Sequence, residues 1–131
     1  MILGYYQINP LPSQNEIALE TKYSNNQTSI SNMGIPFTKR NMSFQTNSTS
    51  DYDLAYKRLI DTVSNKPVII LLIWNDNTGH YLVVYDRDSS GIKYHDPLQG
   101  KSLYKTKEEL KIYWHDNYDL PWEPCWILYI K

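Results

Sequence analysis

The sequence predicts an α+β domain, with helices first and then an antiparallel meander carrying one inserted helix. Three observations carry this. Residues 68–74, Val-Ile-Ile-Leu-Leu-Ile-Trp, form an apolar run rich in β-branched side chains, which reads as a central strand buried on both faces. Two more strand-like runs follow at residues 80–85 and 92–95, each entered through a polar turn. Helical patterns with N-cap residues stand before and after these strands.

The elements follow in order. Residues 1–6 read as the last turns of an apolar helix, which Asn9-Pro10-Leu11-Pro12 breaks, because proline cannot continue a helix interior. Ser13 caps a new helix, and Glu16 three residues on completes a capping-box pattern. Ile17 and Leu19 give that helix a small apolar face. Residues 21–50 are polar and read as loop, with a short helix after Thr28-Ser29 and a short strand at residues 36–38. So long a weakly patterned stretch suggests a binding loop or a mobile one. Asp51 or Asp53 caps the next helix, whose apolar face is Leu54, Leu59, Ile60 and Val63. Asn65-Lys66-Pro67 ends it, and the strands follow. Thr106 and Glu109 form a second capping box, ahead of an apolar side made of Leu110, Tyr113 and Trp114. Residues 125–130 read as a last strand. The expected organisation is a single domain over 1–131, with a helix-and-loop part over 1–50 and a helix-plus-sheet part over 51–131.

Composition narrows the function classes. A chain of 131 residues buries about two-thirds of its unfolded surface, enough for a core without staples. Thirteen basic against fourteen acidic residues give a net charge of −1, which argues against a dedicated nucleic-acid binder. The single cysteine, Cys125, excludes an internal disulfide framework. No apolar run reaches the roughly 18–20 residues of a membrane span. Residues 1–6 lack the basic start and long apolar core of a signal peptide. An intracellular or truncated product is therefore expected. Sequons at Asn26, Asn41 and Asn47 are what chance produces in a chain rich in Asn, Ser and Thr. Twelve tyrosines and four tryptophans stand against two phenylalanines. Such side chains bury an apolar body and keep a polar tip, so a tyrosine-rich sheet and surface is expected rather than a dedicated cleft for peptide or sugar.

Among residues able to do chemistry, His80 and Asp96 stand out. His80 opens a strand directly after Gly79, and Asp96 closes the strand after it, sixteen residues on. In a meander such residues sit at neighbouring strand ends. Asp96 is then placed to orient the His80 ring and stabilise its charged form. The plainer alternative is a histidine satisfied at a strand end and an Asp-Pro turn starter. His80, His95, His115 and Asp96 lack helical i,i+4 spacing and an assigned third ligand, so no metal or cofactor is expected. Trp114, Trp122 and Trp126, with Tyr113 and Tyr118, read as packing of the last helix on the last strand, not as a stacking platform for nucleic acid.

Three strings, Lys66-Pro67-Val68-Ile69-Ile70, Gly79-His80-Tyr81-Leu82-Val83-Val84 and Gly91-Ile92-Lys93-Tyr94-His95-Asp96-Pro97, together resemble the papain-like peptidases that process bacteriocin leaders at double-glycine sites. Glu109-Leu110 and Trp114 resemble that family's following helix, and the resemblance covers residues 1 to about 115. It implies a papain-like cysteine-peptidase fold, with His80 as the catalytic histidine and Asp96 as the catalytic aspartate. The family's cysteine nucleophile opens its first helix, preceded by an oxyanion-hole glutamine. Residues 1–6 resemble the part of that helix a few residues past the cysteine, so neither residue maps onto this sequence. Cys125, after Trp122-Glu123-Pro124, reads as a small core hydrophobe rather than a substitute.

The expectation is a peptidase-related domain that keeps the His/Asp pair without its nucleophile, truncated or degenerate and inactive as given. The alternative is a binding module for a peptide or protein ligand, with residues 21–50 contributing to recognition. An incomplete first helix exposes apolar surface, which a second copy or a partner chain would cover.

Overall fold

The computed structural model describes residues 2, 20, 30–76, 78–96, 101–118 and 123–131. The helix breaker at residues 9–12 and the Ser13–Glu16 capping box lie outside them. The chain divides into two compact units, Met1–Gln45 with Ile130–Lys131, and Thr46–Tyr129.

In the smaller unit, a 3₁₀ turn at Ile30–Asn32 lies where a short helix was expected, directly after Thr28-Ser29, and helix α1 spans Ile35–Thr38. Residues 36–38 are therefore helical, not a strand. Pro36 sits in the first turn, where its missing N–H is no loss and its fixed φ suits a helix. The Thr38 amide donates to the Gly34 carbonyl at 3.1 Å. Arg40 donates to both carboxylate oxygens of Glu20, at 2.7 and 3.1 Å, and to the Pro36 carbonyl. This fork geometry holds the Glu20 carboxyl below its usual range.

The sheet has the strands β1 (Phe44–Asn47), β2 (Val68–Ile73), β3 (Gly79–Arg87), β4 (Gly91–Asp96), β5 (Lys101–Thr106) and β6 (Ile127–Ile130), in the order β1-β6-β2-β3-β4-β5, and the antiparallel strands β2 to β5 lie wholly within the larger unit. The meander β2 to β5 is the expected one, extended by a strand the sequence did not signal. The sequence of β5, Lys-Ser-Leu-Tyr-Lys-Thr, has little apolar character. Its order comes from pairing along its whole length with β4, from Gly91 opposite Thr106 to Asp96 opposite Lys101. Strand β1 lies in the stretch expected to be loop and stands at the sheet edge beside β6. The last strand crosses back beside β2, with Ile69 opposite Leu128 and Ile70 opposite Ile127.

Every residue of β2 is buried, as expected for a strand covered on both faces. Val68, Ile70 and Leu72 enter one core with Leu82, Val84, Ile92 and Tyr94. Two helical segments contribute to it. Helix α2 spans Tyr52–Val63 and is capped by the Asp51 carboxylate, which accepts from the Leu54 amide at 3.2 Å. It contributes Tyr52, Ala55, Leu59 and Val63, at the i, i+3, i+4 spacing of one helical face. Leu54 is 41% exposed, so it lies off the face that the apolar pattern assigned to it. Helix α3 (Lys107–Lys111) begins with the expected capping box of Thr106 and Glu109 and runs into a π-helical turn at Ile112–Asp116. Together they bury Leu110 and Trp114. The Trp114 indole donates to the Trp126 carbonyl at 3.1 Å, and the Cys125 amide donates to the Trp114 carbonyl at 2.9 Å. The last helix therefore packs on the chain entering β6, as the Trp114 and Trp126 pattern suggested; Trp122 lies outside the described residues.

The tyrosines behave as amphipathic side chains. Tyr52 donates to the Lys107 carbonyl, Tyr118 to the Leu71 carbonyl and Tyr104 to the Asp88 carboxylate. Among the described residues, no helix is long and apolar enough to cross a membrane.

Candidate active site

His80 is the second residue of β3 and pairs with Leu72 of β2. Asp96 is the last residue of β4. The β3–β4 register, Val83 opposite His95 and Val84 opposite Tyr94, puts Asp96 across from Leu82. Cross-strand partners share a face, and so do residues two apart on one strand. Leu72, His80, Leu82, Tyr94 and Asp96 therefore all project from one face, with His80 diagonal to Asp96. Such diagonal positions are about 7–8 Å apart at the backbone, and among the described residues no ion pair joins the His80 ring to the Asp96 carboxylate.

Asp96 is 4% exposed, and it is the one buried polar or charged side chain among the described residues. A buried carboxylate is rare unless paired or hydrogen-bonded. No buried side-chain nitrogen or oxygen among the described residues lacks a partner. Asp96 also helps burial to push the Tyr94 hydroxyl above its usual pKa.

The turn leading into His80 is held by side chains. Asp76 accepts from the Thr78 amide at 3.0 Å and from its hydroxyl at 2.6 Å. Those bonds, with a smaller contribution from His80, hold the exposed Asp76 carboxyl below its usual range. The Trp74 amide donates to the Thr78 carbonyl at 2.8 Å. Beyond the π turn, Asn117 donates to the Ile73 carbonyl at 2.9 Å and to the Asn75 side chain at 3.1 Å. The Trp74 ring lies against the His80 ring, with centroids 5.3 Å apart and planes tilted by 59°.

The three histidines go to different places. His95 pairs with Val83, so it projects from the opposite face to His80 and stacks on Tyr85. His115 sits between the Asp116 carboxylate at 2.8 Å and the Ser50 carbonyl at 2.7 Å. Among the described residues, no three His, Cys, Asp or Glu side chains come close enough to hold a metal ion. An open cleft of about 450 Å³ lies beside His115, lined by Asp51, Asp53, Lys107, Glu108 and Lys111 among others, and neither His80 nor Asp96 lines it.

Cys125 is 2% exposed and belongs to the core. Burial, helped by the Asp116 and Asp51 carboxylates, pushes its thiol up to about 12. Its backbone is left-handed, with φ of 54°. A reactive thiol needs access and a lowered pKa, and Cys125 has neither.

An antiparallel sheet with helices packed on it is the α+β papain-like fold. The chain belongs to the Peptidase C39 family, whose model matches residues 1–123. It is also similar in fold to the peptidase domain of Streptococcus ComA, described as a bi-functional ABC transporter involved in a quorum-sensing pathway. That likeness has a TM-score of 0.71 at 18% identity and covers 98% of this chain and 83% of that one. No curated protein matches the chain.

Proposed function

We propose that this chain carries the base and its orienter of a C39-type cysteine-peptidase site, and that none of its own residues serves as the nucleophile. His80 is the general base that takes the proton from an attacking thiol and returns it to the leaving amine. Asp96 holds the imidazole in the productive tautomer and stabilises its charged form. The substrate class is a peptide cut after a double glycine. The observation that carries the reading is Asp96 itself, a buried carboxylate on the same face as His80 and diagonal to it. A buried ionisable side chain beside a histidine is a functional-site candidate.

Cys125 is the sequence's single cysteine and is buried. The 131 residues alone are therefore expected to bind a peptide without cutting it. A thiol must be presented to His80 from outside them for acyl transfer to run. The same burial of Cys125 favours the second reading, a peptide-binding module that does no chemistry.

The test compares the chain as given with a version carrying the family's Gln and Cys helix start ahead of Met1. Turnover of a double-glycine leader peptide is expected only for the extended chain. His80→Ala is expected to lower that turnover by about 10²–10⁴-fold. An extended chain whose turnover survives His80→Ala would remove His80 as the base. An inert extended chain that still binds the peptide would establish the binding module.

A further inference from the structure

Trp74 is the first residue past β2, so no strand pairing holds its side chain. Three groups meet it instead. One is the His80 ring. Another is Tyr113 from the π turn, edge-on, at 5.0 Å between centroids and 75° between planes. The third is the Lys105 ammonium, 5.9 Å from the centre of the Trp74 ring. The same ammonium stands 4.9 Å from the centre of Tyr113 and 5.8 Å from that of Tyr94. Lys105 thus meets three aromatic rings from three different elements. It forms no ion pair with a carboxylate among the described residues. Its neighbour Glu109 is committed to the capping box, where it accepts from the Thr106 amide at 3.1 Å.

Lys105 is half-buried; beyond ion-pair distance its charge adds to the capping-box bonds in holding the Glu109 carboxyl below its usual range, and the groups that meet its ammonium are the rings. The negative faces of Trp and Tyr attract the cation, and the attraction strengthens as water is excluded. The strand register explains how it gets there. Lys105 lies opposite Ile92 and Leu103 opposite Tyr94, so Lys105 projects from the face that carries Tyr94, Asp96 and His80.

We propose that Lys105 is a positioning residue for His80, acting through Trp74. The cation draws Trp74 and Tyr113 into a fixed stack, and the outer ring of that stack sets the rotamer of the His80 imidazole. The inference rests on the reading of His80 as the base, and it extends the site to β5 and the π turn. Its consequence is that removing a charge which never touches the imidazole alters the imidazole's placement.

The test is side-chain NMR on the whole chain with labelled histidine, comparing the native protein with K105M, K105R, K105Q and W74L. K105M keeps the aliphatic stem and removes the charge; K105R keeps the charge. In the native protein, the His80 ring protons are expected to show the Trp74 ring-current shift and cross-relaxation with its indole protons. K105M is expected to weaken both, moving His80 towards its signals in W74L. K105R is expected to restore them. K105Q repeats the charge removal if K105M does not fold, and a thermal melt establishes which variants are folded.

Native His80 signals in folded K105M or K105Q would overturn the proposal, as would native His80 signals in W74L. None of these readouts needs turnover. A His80 that is held through Lys105 but proves dispensable in the extended chain would refute the catalytic reading and leave the positioning intact. A catalytic His80 indifferent to Lys105 would do the reverse.

Discussion

Alkylation of Cys125 puts the proposal that this thiol is not the nucleophile to a quantitative test. Burial pushes the thiol from an ordinary 9.0 up to about 12. Near pH 7 the thiolate fraction then falls from about 10⁻² to about 10⁻⁵, roughly a thousandfold. The sulfur is also out of reach of a reagent, since Cys125 is 2% exposed. Reaching it requires opening the chain ahead of β6. That breaks the hydrogen bonds donated by the Cys125 amide to the Trp114 carbonyl and by the Trp114 indole to the Trp126 carbonyl. An opening that costs about 4 kcal/mol suppresses labelling by the same thousandfold, at about 1.4 kcal/mol per factor of ten. Either route predicts a native rate with iodoacetamide at least about a thousandfold below that of the urea-unfolded chain. Intact mass against time reads both rates. A native rate within tenfold of the unfolded one would mean an accessible, ionisable thiol. It would return Cys125 to consideration as the nucleophile.

Other substitutions probe the frame around the site. Cys125 has a left-handed backbone, so Cys125→Gly relieves about 1 kcal/mol of strain while losing the buried sulfur; Cys125→Ala loses the sulfur without relief and should be the less stable variant by urea midpoint. Leu59→Ala, in a fully buried position on α2, should cost about 2–5 kcal/mol in urea unfolding. Gly91→Ala would put a Cβ 2.1 Å from the Lys105 carbonyl oxygen, which is backbone and cannot step aside. It should loosen the β4–β5 pairing, read as faster amide exchange along β5. Stability should also fall at alkaline pH. Burial raises Tyr52, Tyr118 and Cys125 alike, so the folded chain holds these protons more tightly than the unfolded one. Their contribution is complete below the unfolded values near 9–10. As pH rises past those values it is lost, at about 1.4 kcal/mol per unit for each fully shifted group. A urea midpoint unchanged between neutral pH and pH about 11 would refute this.

The sequence marked those elements whose signals are local. The Asp51 cap of α2 and the Thr106–Glu109 box of α3 each act within one turn, so a few adjacent residues suffice to place a helix start. The unbroken apolar run of β2 and the polar turns around β3 and β4 set their own boundaries. His80 and Asp96 came out of the same pattern as residues at adjoining strand ends. Leu54 was misplaced for a physical reason. An apolar residue in a helix carries no label for which face will be buried, and the core took Tyr52 and Ala55 instead.

What the sequence by itself determined is the α+β order, the caps, the meander and the two ionisable residues at its open end. Each follows from hydrogen bonding or periodicity within single helices, strands and the turns that join them. The tertiary structure alone decided that β1 and β5 are strands, because an edge strand with polar residues is ordered by its neighbour's ladder. It also decided that His95 and His80 lie on opposite faces, that Asp96 is buried, and that Lys105 meets Trp74. Those depend on register between strands and on which surfaces come together, and no local pattern encodes a contact between residues 31 positions apart.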